Sequence, residues 1–167
     1  MADTMNKTTM SAAERISVQR ETVQVHIVGE TTNNWEIVNN TFLQNEESYY
    51  QVVPGGIHIQ GHEGVRDFYA SLAAALPDLQ LQITHEYDVP GCSIREMVAS
   101  GTHSAEFLGV TPTSQHVSFE VCALYIFDDR QPDKLLAERA YWDNDGLLKQ
   151  MRGERVQTLD LAAHGYR

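Results

Sequence analysis

The hydrophobic pattern switches from a helical period to strict alternation at Pro77, and this switch limits the chain to a fold with helices and sheet segregated along the sequence. Upstream, Val65, Phe68, Tyr69, Leu72 and Leu76 recur at the spacing of one helical face. Pro77, which has no backbone N–H to donate, closes that helix. Downstream, Leu79, Leu81 and Ile83 alternate with Gln80, Gln82 and Thr84, as in a strand with one buried face.

The remaining elements fit the same division. Ser11 and Glu14 form an S-x-x-E capping box, so a first helix opens at Ser11, with Ala12, Ile16, Val23 and Ile27 as its apolar stripe and Gly29 as its stop. Residues 31–34 offer N-caps for a second helix around 35–42, in which Trp35, Val38 and Phe42 share one side. Pro54-Gly55-Gly56 joins two short strands over 48–53 and 57–60. Three long strands follow, over 93–103, 117–127 and 135–142, and then a short helix. The expected architecture is α+β: three N-terminal helices packed on a curved, mostly antiparallel sheet that encloses a pocket. Residues 1–10 read as a frayed N-terminus, 11–152 as one domain, and 153–167 as a tail, weakly amphipathic, packing on the domain or on a partner subunit.

Charge and cysteine content remove several function classes. Twelve basic against twenty-three acidic residues give a net charge of -11, which repels nucleic acid and anionic membranes. Cys92 and Cys122 are far apart and belong to no metal-ligand set, so reduced thiols in a cytoplasmic protein are expected, with no metal. No phosphate-binding glycine loop and no nucleophile elbow occurs, and no cofactor is expected.

Gly61-x-x-Gly64-Val65-Arg66-x-Phe68-Tyr69 leading to Leu76-Pro77-Asp78-Leu79, Gly101-Thr102-His103 with Phe107-x-Gly109 and Pro112-Thr113, and Tyr141-Trp142-Asp143 with Leu147-Leu148-x-Gln150 occur in that order. In these motifs the chain resembles the SnoaL-like polyketide cyclase family, within the nuclear-transport-factor-2-like cone folds. The resemblance covers roughly residues 12 to 151, with Ser114 and Met151-Arg152-Gly153 departing from the family pattern. It implies a cone with a pocket, and cofactor-independent acid/base chemistry, such as an intramolecular aldol cyclisation or an isomerisation, on a hydrophobic, carbonyl-rich small molecule. By motif, Asp143 takes the acid/base position. Two alternatives remain: a non-catalytic small-molecule-binding protein on the same fold, and an epoxide hydrolase-like enzyme, which needs two acids flanking an arginine.

Such chemistry needs a carboxyl whose pKa burial has raised, because one group must take a C–H proton and then protonate an alkoxide. Asp143, after Tyr141-Trp142, is expected in an apolar surround; the run Asp-Asn-Asp-Gly equally reads as a helix cap. His103 shares strand parity with Met97, Ala99 and Gly101 and is the expected helper. Trp35, Tyr50, His58, Phe68, Glu120, Arg139 and Tyr141 are the expected substrate-binding residues. Arg139 and Tyr141 share parity with Asp143, and Glu120 lies on a face that either lines a polar pocket or meets a second subunit. A homodimer through the open sheet face is expected.

Overall fold

Ser11 accepts from the backbone N–H of Glu14, whose carboxylate returns to the Ser11 N–H, so both ends of the capping box are closed and α1 begins where its sequence requires. The computed structural model describes residues 10–156; residues 1–9 of the expected N-terminal segment and most of the 153–167 tail therefore lie outside the described residues. Helix α1 spans Ala12–Thr31 and is capped at Thr32, so it does not stop at Gly29. The reason is packing. A Cβ on Gly29 would lie 2.8 Å from Val38 Cγ2 of α2 (Trp35–Thr41), and the missing side chain lets the two helices meet there.

Strands β1 (Tyr49–Val52) and β2 (Ile57–Gln60) form the expected hairpin. Gly61, at φ 82°, makes the left-handed turn into α3 (His62–Ala75). Strands β3 (Gln80–Val89), β4 (Cys92–Thr102), β5 (His116–Phe127) and β6 (Leu135–Tyr141) meander antiparallel, and α4 (Asn144–Met151) closes the described chain. The sheet order is β2-β1-β6-β5-β4-β3, with β1 parallel to β6, so the sheet is mixed, curved and open and β6 is an interior strand.

Pairing registers define two faces. Val52, Glu138, Ala140, Tyr125, Ala123, Met97 and Ala99 point inward under the helices; Gln51, Arg139, Tyr141, Cys122, Glu120, Glu96 and Val98 point outward. Helix α1 lies across β3 and β4, and α3 across β1 and β2. The core between helices and sheet includes Val23, Ile27, Val38, Phe42, Val65, Tyr69, Leu76, Ala123 and Leu135. No described helix is long and apolar enough to cross a membrane.

Candidate functional site

Three polar residues of α1, Gln19, His26 and Glu30, sit in helical register with Val23 and Ile27 on the face that packs inward. His26 meets Glu30 on its own helix, Tyr69 from α3, Thr41 from α2 and Glu138 from β6. His26 is 0% exposed, Glu138 4% and Glu30 5%. Tyr69 donates a short hydrogen bond to Glu138 Oε2. His26 Nε2 lies 3.0 Å from the Tyr69 hydroxyl, 3.3 Å from Glu138 Oε2 and 3.8 Å from Glu30 Oε2, while Nδ1 lies 2.8 Å from Thr41 Oγ1.

The two carboxyls border a chamber of about 40 Å³ whose other walls include Tyr50, Tyr125, Leu72, Phe107, Phe119 and Trp142. That volume holds about three water molecules at most. Burial pushes the Glu30 carboxyl up to about 8, with His26 opposing and the neighbouring Glu138 reinforcing the rise. At neutral pH Glu30 is thus a buried proton donor. Burial by itself lowers the basicity of His26, but the Glu30 and Glu138 carboxyls outweigh it and the net direction is up. Tyr50, Tyr69 and Tyr125 are driven well above the ordinary phenol value, first by burial and then by Glu138. The Tyr125 hydroxyl, fully buried in the chamber wall, has no hydrogen-bond partner among the described residues. Among those residues, no three His, Cys, Asp or Glu side chains are disposed to hold a metal ion. Met97, Phe119, Val121, Trp142 and Leu147 separate the chamber from a larger open groove of about 790 Å³, which runs past Glu120, Tyr141 and Asp143.

The family profile described as SnoaL-like polyketide cyclase matches residues 19–151, most of the chain. The chain belongs to the SnoaL-like polyketide cyclase family. No curated protein matches. Among solved structures, a protein from Jannaschia assigned as a SnoaL-like polyketide cyclase superposes with a TM-score of 0.74 at 16% identity, covering 88% of this chain and 100% of that one. A ketosteroid isomerase-like fold from Catenulispora acidiphila, in complex with trimethylamine, gives 0.63 at 18% identity over 81% of this chain and 94% of its own. An epoxide hydrolase of the LEH-like type from M. tuberculosis gives 0.64 at 14% identity over 83% and 92%. At these identities the likeness is one of fold.

Within this SnoaL-like frame three of the residues named from sequence, Glu120, Tyr141 and Asp143, share the open groove, and the others are dispersed. Asp143 is exposed and caps α4 by accepting from the Gly146 N–H at 3.0 Å, which corrects the expectation of a dry, apolar surround. The strand ends at Tyr141, so the cap, not strand parity, sets the direction of this carboxylate. His103 is fully buried on the inner face as its parity implied, but its Nδ1 bonds Thr113 Oγ1 at 3.1 Å, and Thr113 in turn donates to Met151 O at the far end of α4. Eight helical residues, a rise of about 12 Å, separate the two ends of α4, so His103 does not assist Asp143. Arg139 and Tyr141 are corrected to the outer face. There Arg139 Nε donates to Gln51 at 3.0 Å and its Nη2 to the Tyr141 hydroxyl at 3.4 Å, and it flanks no acid. Glu120 is exposed on that same outer face. His58 is exposed against Tyr49 and Gln60 on the edge hairpin, away from the chamber. Tyr50 alone of the named residues lines the chamber. Phe68 stacks on it at 4.3 Å, and Trp35 packs 5.9 Å from Tyr69.

Sequence reasoning missed His26, Glu30, Tyr69 as a donor, Tyr125 and Glu138. A signal existed for two of them: ionisable residues placed seven and eleven positions after Gln19 along an apolar helical stripe. Glu138 has the opposite parity on β6 to Arg139 and Tyr141, and a shift of one residue exchanges the faces of an entire strand.

Proposed function

We propose that this SnoaL-like protein is a cofactor-independent acid/base catalyst that cyclises by aldol condensation, or isomerises, a hydrophobic carbonyl compound. The reacting carbonyl enters the chamber, and the bulk of the molecule occupies the groove once Phe119, Trp142 or Leu147 changes rotamer. Glu138 takes the acidic C–H proton, and Glu30 gives its proton to the alkoxide or enolate oxygen that forms. His26, within 4 Å of both carboxyls, returns the proton from Glu138 to Glu30, so the cycle ends with no net change. The observation that carries this reading is the pair of buried carboxyls with Glu30 raised to about 8, facing a wall in which a buried tyrosine hydroxyl lacks a protein partner.

The groove supports a second reading, because it is large enough for a polycyclic molecule and Asp143 stands on its rim. In that reading Asp143 is the acid/base group. The two are separated by following α-proton exchange of a panel of aryl ketones in D2O by NMR. Loss of exchange in Glu138→Gln with retention in Asp143→Asn supports the chamber. The reverse pattern assigns the chemistry to Asp143, and a wild-type protein that binds the ketones without accelerating exchange on any of them is a binding protein.

We infer further that two copies associate through the part of the outer sheet face beyond the groove, where Ile94, Leu124 and Ile126 are only half-buried in the single chain. Sedimentation velocity of the wild type and of Leu124→Arg tests this; a monomeric wild type refutes it.

A further inference from the structure

The hydrogen bonds around His26 can be counted proton by proton. Thr41 Oγ1 lies 2.7 Å from Val38 O, which can only accept; with the single hydroxyl hydrogen placed there, Thr41 offers His26 only lone pairs and Nδ1 carries a hydrogen. With the Tyr69 hydrogen on the bond to Glu138 Oε2, the Tyr69 oxygen is also an acceptor toward His26 and Nε2 carries a hydrogen as well. A ring with both nitrogens donating is an imidazolium. Its surroundings suit a cation: the rings of Tyr125, Tyr69 and Phe42 lie 5.4, 5.6 and 5.7 Å away, and two carboxyl oxygens lie within 4 Å. The groups facing it are Glu30 on its own helix, Thr41 from α2, Tyr69 from α3, Tyr125 from β5 and Glu138 from β6.

We propose that His26 is an imidazolium throughout the neutral range and is the positioning residue that divides labour between the two acids. At 3.3 Å it holds Glu138 as the carboxylate; at 3.8 Å it leaves the remaining proton on Glu30. The trio is then neutral as a whole, which is what a wholly buried cluster requires. This rests on the acid/base reading of the chamber, although the charge assignment is measured without any substrate. Rival proton arrangements that fit the same heavy atoms leave one ring nitrogen unprotonated: either Thr41 donates to a bare Nδ1, or Glu138 is protonated and donates to Tyr69, which donates to a bare Nε2. The second also leaves both carboxyls neutral and no base in the chamber.

Long-range 1H–15N correlation spectra of the labelled protein from about pH 5.5 to pH 8.5 distinguish these arrangements. The expected result is one imidazole with both nitrogens protonated, exchange-protected and unmoved between pH 6 and pH 7.5, absent from the spectrum of His26→Gln. Carboxyl 13C shifts, assigned through Glu30→Gln, should show Glu30 titrating near 8. In His26→Gln the Glu30 midpoint should rise further, because the opposing charge is gone. If His26→Gln fails to fold, survival of the protected N–H pair in His103→Gln, which lacks the other wholly buried imidazole, assigns it to His26. A His26 signal with one unprotonated nitrogen at pH 7 overturns the proposal. An imidazolium without ketone exchange leaves this assignment standing and removes the catalytic reading; a neutral His26 with exchange lost in Glu138→Gln does the opposite.

Discussion

Replacing Glu30 by Gln is expected to change how stability depends on pH, by an amount that follows from the site. In the folded chain burial moves the carboxyl from 4.5 to about 8, so the native state holds this proton more tightly than the unfolded chain does. The stabilisation from that proton is fully present below pH 4.5 and is lost as pH rises through about 8. The difference of 3.5 units corresponds to at most about 5 kcal/mol at roughly 1.4 kcal/mol per unit. Glutamine keeps an oxygen and an N–H donor in the same place but cannot ionise. Urea denaturation of both proteins at several pH values from about 5 to 9 should show the wild type losing stability relative to Glu30→Gln by about 1.4 kcal/mol per pH unit up to about pH 8, with unchanged m-values. His26 perturbs this comparison little below pH 8, where Glu30 is protonated and contributes no charge. Parallel stability curves would refute the argument, since they would mean that the carboxyl titrates alike in both states.

Further expectations concern the cap, the chamber wall and the helix contact. Asp143→Ala removes the N-cap of α4 and should lower stability by about 1 kcal/mol in thermal unfolding, whereas Asp143→Asn, which can still cap, should cost little; equal losses would discount the cap. Tyr125→Phe removes a buried hydroxyl with no protein partner, so the free protein should change by no more than about 1 kcal/mol in urea, while retention of an aryl ketone measured by native mass spectrometry falls. A large loss of stability would mean that this hydroxyl is satisfied within the fold. Gly29→Ala pushes a methyl to 2.8 Å from Val38 and should destabilise by about 1–3 kcal/mol, seen as an earlier urea midpoint; an unchanged midpoint would show that the two helices can separate at no cost.

Much of the fold could be read along the chain because its causes are local. The capping box at Ser11, the apolar face ending at Pro77 and the alternation after Leu79 each act over a few residues; the structure keeps the first two, and the third holds at Leu79 and Leu81 but fails at Ile83, which is exposed where the strand shifts register. Gly29 misled because a glycine that reads as a helix stop in isolation serves as a contact point once α2 packs against it. The family could likewise be read from short motifs, since they cluster at turns and caps whose geometry depends on nearby sequence.

The chamber could not be read this way. His26, Tyr69 and Glu138 lie more than forty residues apart in succession, and nothing local distinguishes Glu138 from Arg139 beside it. Which of the two faces inward depends on the register of β6 between β1 and β5, and the parallel β1–β6 pairing carries no sequence mark. Asp143 shows the same limit from the other side: its motif is local and legible, but whether a carboxylate caps a helix or enters a cavity depends on where the strand ends. The sequence by itself determined the elements, their order and the family. Only the tertiary structure decided which ionisable groups lose their water together, because desolvation and mutual charge arise when distant segments pack, and those two effects set where a proton is held.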